Sequence, residues 1–134
     1  MEAQHFLGKV SLRALIEREG KIFLCRGIGD TVWQLPGGRM HVGEEPQDGL
    51  IREIKEEFGV APKVDQLFYT QTFEHFKDKV AQLLLVYLCS IGEQSIKINP
   101  AENEEYKWVP REELKILPMF EDCRRAVDEF LKLR

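Results

Sequence analysis

Apolar and polar residues alternate over several stretches of the chain, and this two-residue period predicts β-strands. In residues 8–19 every second position from Val10 to Ile16 is apolar, as expected of a strand that buries one face. Residues 21–27, KIFLCRG, are mostly apolar and predict a short strand after a glycine-containing turn. Further extended segments are predicted at residues 33–38, 63–76, 78–90 and 106–110, with a turn at residues 77 and 78.

Two segments carry the signals of helices. Residues 45–58 begin near Pro46, which suits a first helical position, and Gly59 suits the residue just past the end. Residues 118–133 predict a C-terminal helix, and residues 111–114 predict one helical turn. The apolar stripe of the C-terminal helix consists of Cys123, Val127, Phe130 and Leu131. Strands on both sides of one helix, followed by a second helix, predict an α+β fold with helices on the faces of a mixed β-sheet.

The length and composition indicate a single domain, residues 1–134, with 43% hydrophobic and 31% charged residues. The formal net charge of −4 and the sequence pI near 5.5 disfavour nucleic acid as a partner. The longest apolar run, residues 83–88, is too short to span a membrane, and the first ten residues do not resemble a signal peptide. We therefore expect a cytoplasmic protein without a membrane partner, either a monomer or a homodimer. Its cysteines are expected to be reduced core residues: Cys25, Cys89 and Cys123.

The helix predicted at residues 45–58 is unusually acidic. Residues 44–57 contain six acidic and two basic side chains. At 100° per residue the apolar positions share one arc of the helix, and Glu53, Glu56 and Glu57 share another as i, i+3 and i+4 neighbours. Like charges at this spacing oppose helix formation by a few tenths of a kcal/mol per pair. Charge alone leaves two interpretations open: a solvated acidic face, or a site for a hard cation such as Mg²⁺ or Mn²⁺.

The spacing of residues around this helix favours the cation site. Gly38 is followed by five residues and Glu44, then by seven residues and REIKEEFGV, which ends at Val60. This pattern, G-x5-E-x7-R-E-U-x-E-E-x-G-U with U a bulky aliphatic residue, resembles the signature of the Nudix hydrolases at every defined position. Weaker similarity to the family extends to the segments KIFLCR, WQLPGG and YKWVPREEL. One departure is Gly49, where many members carry alanine, and it touches no catalytic position.

The resemblance implies a Nudix fold, an α/β/α sandwich whose mixed sheet is flanked by the acidic helix and the C-terminal helix. It also implies Mg²⁺-dependent chemistry, with Mn²⁺ as an alternative ion. The implied metal ligands are Glu53, Glu56 and Glu57, together with the backbone carbonyl of Gly37. Arg52 is expected to hold a neighbouring carboxylate, so the implied catalytic set is Glu53, Arg52 and Glu56. Structural roles in the signature are implied for Gly38, Glu44 and Gly59.

Other site residues are less constrained by the sequence. The general base is either Glu53 or an acid of a late loop, and one of Glu102, Glu104 and Glu105 is expected to reach the metal. Arg26 is either a phosphate ligand or a surface arginine. Five further residues are either core residues or candidates for a wall that stacks on a nucleobase: Trp33, Phe73, Phe76, Met119 and Phe120.

The resemblance leads to a functional hypothesis, a MutT-like pyrophosphohydrolase that cleaves a P–O–P bond of a nucleoside triphosphate or other nucleoside diphosphate derivative, including a housecleaning role. The expected partner is thus a small-molecule nucleotide. The alternative is a pyrophosphatase of ADP-ribose or another nucleoside diphosphate sugar. A non-catalytic nucleotide-sensing module is disfavoured because such domains usually lose acids that this chain keeps.

Overall fold

The computed structural model of the protein describes residues 4–133. Within this part of the chain, six β-strands form one mixed sheet and three helices accompany it. The strands are β1 (Lys9–Arg18), β2 (Lys21–Gly27), β3 (Gly37–Arg39), β4 (Lys63–Glu74), β5 (Ala81–Ser90) and β6 (Asn103–Pro110). The helices are α1 (Pro46–Phe58), α2 (Arg111–Leu114) and α3 (Glu121–Leu131).

Strand β1 connects the two halves of the sheet, whose strand order is β4-β5-β1-β2-β6. One edge of β1 pairs in parallel with β5 from Lys9 to Ile16. The other edge pairs antiparallel with β3 around Leu12 and with β2 near Arg18. The short strand β3 therefore lies beside the middle of β1, and α1 follows it in the chain.

The alternation of side chains along β1 divides the core between the two faces of the sheet. Leu12, Ala14 and Ile16 pack in a buried cluster with the apolar face of α1. Leu15 points the other way, into a cluster that includes the apolar stripe of α3. This two-sided burial confirms the predicted α+β sandwich with one helix on each face of a mixed sheet. The three cysteines are buried, as predicted.

The predicted signals at the ends of α1 are present in the structure. Helix α1 starts at Pro46, one residue later than predicted, because Glu45 has an extended conformation. Gly59 ends the helix with φ 68°, and its N–H donates to the carbonyl of Lys55 at 3.0 Å. Close packing explains the glycine at position 49, since a Cβ there would lie 2.7 Å from Oε1 of Glu44 and 2.8 Å from a methyl of Leu12.

Other boundaries also differ from the sequence prediction, including that of β3, which is Gly37–Arg39 rather than residues 33–38. Strand β6 begins at Asn103 rather than residue 106, because it pairs with β2 as far as Gly27. Helix α3 begins at Glu121 rather than residue 118, because the backbone of residues 118–120 hydrogen-bonds to Trp33. The turn between β4 and β5 is wider than two residues and closes with the N–H of His75 donating to the carbonyl of Val80. No helix among residues 4–133 is long and apolar enough to cross a membrane.

Candidate active site

Three carboxylates meet where the C-terminal half of α1 faces the loop before β6. Glu53, Glu57 and Glu102 each place one carboxylate oxygen within 4.8 Å of the others. Glu53 and Glu57 come from one face of α1 because they are four residues apart. Glu102 comes from a loop fixed to the end of α1, where the N–H of Asn99 donates to the carbonyl of Glu57 at 2.8 Å.

Strand β3 packs against the carboxylates of Glu53 and Glu57. The N–H of Gly37 donates to Oε1 of Glu57 at 3.4 Å. A Cβ at Gly38 would lie 2.7 Å from Oε1 of Glu53 and closer still to its Cδ and Oε2. A Cβ at Gly37 would collide with the carbonyl of Leu12, and the φ of 148° at Gly37 also favours glycine. The two glycines thus allow α1, β1 and β3 to approach closely around the carboxylates.

Arg52 connects the acids of the helix with the loop that precedes it. Its Nε and one terminal nitrogen donate to the two oxygens of Glu44 at 3.0 and 2.8 Å. Its other terminal nitrogen donates to Glu53 at 2.9 Å, and a further bond reaches the carbonyl of Arg39 at 3.2 Å. The bonds from Arg52 to Glu44 lower the pKa of Glu44 to about 2, and the bond from the N–H of His41 contributes to this shift. Arg52 therefore helps to fix the orientation of Glu53.

Glu57 is a buried acid that keeps its proton near neutral pH. Its residue surface is only 7% exposed. Burial raises its pKa to about 8, and the charges of Glu53 and Glu102 act in the same direction, whereas Arg13 opposes them. A solvated acidic face is therefore wrong for Glu57. A cation beside the three acids would favour the charged form of Glu57 and offset its desolvation.

The other predicted site acids lie apart from this cluster. Glu56 is outside the group, its side chain is half exposed, and it approaches Arg52 at 3.4 Å. Glu104 and Glu105 pair with Arg26 at 3.0 and 3.1 Å. Of the three late acids, the structure thus brings only Glu102 to the cluster among the described residues. The guanidinium of Arg26 is held by these two ion pairs.

A cavity of about 820 Å³ lies against β3, β4, β5 and the start of α3. Phe73 and Phe120 line it, as does Phe76, whose ring stacks on that of Phe120 with centroids 5.5 Å apart. Trp33 is instead a buried core residue, and its ring lies 5.8 Å from the guanidinium of Arg26. A volume of this size suits a small organic ligand such as a nucleotide.

The sequence prediction missed the polar residues that line this cavity, among them Arg13, Arg39 and Gln82. Arg13 and Gln82 belong to strands β1 and β5, whose inward positions are otherwise mostly apolar. Gln82 is only 1% exposed. A polar residue at an inward strand position was the available signal for both, because a buried polar group without a partner is costly.

Comparison with known proteins places the chain in one family. The family model described as the NUDIX domain matches residues 8–130. The chain is 31% identical to an RNA pyrophosphohydrolase of Novosphingobium aromaticivorans, with 89% of each chain covered. It is 30% identical to the nucleoside triphosphatase NudI of Escherichia coli, over 75% of this chain and 80% of that protein. A match to Nudix hydrolase 2 of Arabidopsis thaliana has 36% identity and covers 63% of this chain but only 31% of the plant protein.

The fold comparison agrees with the sequence comparison. The crystal structure of a MutT NUDIX hydrolase from Burkholderia pseudomallei superposes with a TM-score of 0.78 and 25% identity, covering 90% of this chain and 95% of that one. The match to the family model spans all six strands and the helix that carries Glu53 and Glu57. The chain therefore belongs to the Nudix hydrolases, enzymes that act on pyrophosphate bonds.

Proposed function

We propose that this protein is a Mg²⁺-dependent pyrophosphohydrolase of nucleoside triphosphates or related nucleoside diphosphate derivatives. The observation that carries the proposal is the convergence of Glu53, Glu57 and Glu102 within 4.8 Å, next to a cavity of nucleotide size. Strand β3 adjoins both features, because Gly38 contacts Glu53 and Arg39 lines the cavity. In this proposal a nucleotide in the cavity directs its phosphates past β3 toward the acids.

The donor set fits a hard divalent cation. Three carboxylate groups without a nitrogen or sulfur ligand suit Mg²⁺ or Mn²⁺. Glu53, Glu57 and Glu102 would hold the ion, and Glu56 and the carbonyl of Gly37 stay predicted ligands. When bound, such an ion neutralises phosphoryl oxygens and makes a bound water more acidic.

The residues of the chain have separate tasks in this proposal. Arg52 holds Glu53 in one orientation through its bonds to Glu44 and to the backbone of Arg39. As a ligand of the cation, Glu57 would have to give up its proton. The proton of the attacking water goes to Glu53 or Glu102, the two cluster acids that are not deeply buried. A substitution that lowers kcat but keeps the metal affinity identifies the general base. A substitution that lowers the metal affinity identifies a ligand.

The name of one relative supports a triphosphate substrate. One relative that the chain matches over most of its length is called a nucleoside triphosphatase, and another is called an RNA pyrophosphohydrolase. The net charge of −4 favours a small nucleotide over RNA, because RNA-binding surfaces are usually basic. A substrate panel therefore needs all eight common nucleoside triphosphates, ADP-ribose, a UDP-sugar and a 5′-triphosphorylated RNA.

The proposal is tested by measuring phosphate and pyrophosphate release from this panel with Mg²⁺ and with chelator. We expect chelator-sensitive release from at least one triphosphate. Glu53→Gln and Glu102→Gln are each expected to lower kcat/KM by about 100-fold or more. Glu105→Gln is the matched control, since Glu105 lies in the same segment but pairs with Arg26. Absence of turnover for every panel member, in a folded and Mg²⁺-loaded sample, would overturn the proposal.

A further inference from the structure

Gln82 carries a buried amide nitrogen, Nε2, that has no hydrogen-bond partner in the described part of the chain. The residue lies at the start of β5, is 1% exposed, and borders the cavity. A buried donor left unpaired costs about 1–3 kcal/mol, so such groups in folded proteins usually have a reason. A partner supplied by a ligand is such a reason.

A second unpaired donor borders the same cavity. Nε of Arg13 is buried and has no partner among the described residues, although a terminal nitrogen of Arg13 donates to the carbonyl of Leu35 at 3.0 Å. Both unpaired groups are N–H donors. These two buried donors suit a ligand whose inserted edge carries acceptor atoms.

Aromatic rings flank the amide. Phe73 on β4 lies directly opposite Gln82 on β5 in the antiparallel register, so both side chains point to the same face of the sheet. Phe120 and the ring stacked on it, Phe76, form another part of the wall. Aromatic faces stack on nucleobases of any kind, and they therefore supply affinity without discrimination. Polar groups that contact the edge of the base must therefore distinguish one nucleobase from another.

We propose that Gln82 selects the nucleobase by donating a hydrogen bond from Nε2 to a carbonyl oxygen, so that bases with an oxo group are preferred. This inference rests on the proposed function, which directs the phosphates toward Glu53 and the base into the cavity. The base edge farthest from the sugar then enters deepest, at position 6 of a purine or position 4 of a pyrimidine. With the amide oriented as in the structure, an oxo group there accepts from Nε2 of Gln82, whereas an amino group would place a donor against this donor.

Two matched pairs of substrates test this contact. Inosine and adenosine triphosphates, and uridine and cytidine triphosphates, each exchange an oxo group for an amino group at the relevant position. In each pair the neighbouring ring nitrogen also changes, from an N–H donor in the oxo member to an acceptor in the amino member, so the Gln82→Met variant is needed to assign the effect to Gln82. We expect the oxo member of each pair to have a kcat/KM at least about tenfold higher. Gln82→Met has similar length but no donor, and it is expected to bring both ratios close to one by slowing the oxo substrates.

Gln71→Met is the control. Gln71 lines the same cavity, but its amide oxygen already accepts from the hydroxyl of Tyr69 at 2.8 Å. We expect this variant to keep the ratio of kcat/KM between the oxo and amino substrates, whatever its overall rate. A thermal melt completes the test: Gln82→Met should melt at the wild-type temperature or higher, since it removes an unpaired buried donor.

The outcomes separate the two proposals. Hydrolysis without an oxo preference, or a preference that survives in Gln82→Met, overturns the role of Gln82 and leaves the pyrophosphohydrolase proposal standing. A lower melting temperature of Gln82→Met with unchanged ratios assigns Gln82 a structural role and likewise overturns the inference. Failure of wild-type protein to hydrolyse any nucleotide overturns both proposals.

Discussion

Replacement of Gly38 by alanine tests the site without changing any charge. The added Cβ would lie 2.7 Å from Oε1 of Glu53 and closer to its Cδ and Oε2. Ordinary contacts need about 3.5 Å, so the carboxylate must move by roughly 1 Å. It has little freedom to do so, because Arg52 holds it at 2.9 Å and the side chain is only 12% exposed.

The displacement is expected to reduce activity far more than stability. A shift of about 1 Å in a catalytic group costs roughly 100-fold in rate, which corresponds to about 2.7 kcal/mol in the activation free energy. Overpacking costs about 1–3 kcal/mol of unfolding free energy, and this leaves most domains folded. We therefore expect Gly38→Ala to show a kcat/KM about 100-fold lower, with a cooperative urea transition close to that of the wild type.

A double variant shows whether the loss comes from Glu53. Aspartate at position 53 is one methylene shorter and leaves room for the Cβ added at position 38, so Gly38→Ala and Glu53→Asp should not be additive. The double variant should be no less active than Glu53→Asp alone. Independent, multiplicative losses, or full activity of Gly38→Ala, would refute the close approach of Gly38 and Glu53 on which the site rests.

Two further predictions concern the acids and their arginine. Glu57 has a folded pKa of about 8 against 4.5 for the ordinary group, so the folded protein holds more protons than the unfolded chain between these values. The unfolding free energy in chelator should accordingly fall as pH rises from 5 to 8, by up to about 1.4 kcal/mol per pH unit, and Glu57→Gln should remove this slope in urea titrations. Arg52→Lys keeps the charge but loses the two-pronged contact with Glu44, so kcat should fall about 10- to 100-fold in steady-state assays. Wild-type kcat in Arg52→Lys would show that Glu53 needs no such support.

The sequence was most informative where local physical chemistry determines structure. Pro46 and Gly59 delimit α1 because each suits the backbone of a helix end, and the alternation from Val10 to Ile16 identifies the two-faced strand β1. Such reasoning could not predict which of Glu102, Glu104 and Glu105 joins the acidic cluster. The outcome depends on the pairing of β6 with β2, where an irregularity at Arg26 and Gly27 accompanies the pairing of Glu104 and Glu105 with Arg26.

The cavity was harder to predict than the acidic cluster. Trp33, Phe73 and Phe120 were equivalent as sequence candidates, yet only the two phenylalanines line the cavity, while Trp33 fills the core under α3. The difference comes from tertiary packing between residues distant in the chain. Gln82 was overlooked for a related reason, since one polar residue at the beginning of an apolar strand also fits an exposed strand end.

The structure accounts for the concentration of acids in residues 44–57 in separate ways. Asp48 lies in the first turn of α1, where the helix dipole favours an anion. Glu44, Glu53 and Glu56 all contact Arg52, which therefore offsets part of their repulsion. Glu57 avoids a charge by keeping its proton, because its pKa is about 8. The acids that converge on one point are Glu53, Glu57 and Glu102, and a divalent cation there would favour the charged form of Glu57.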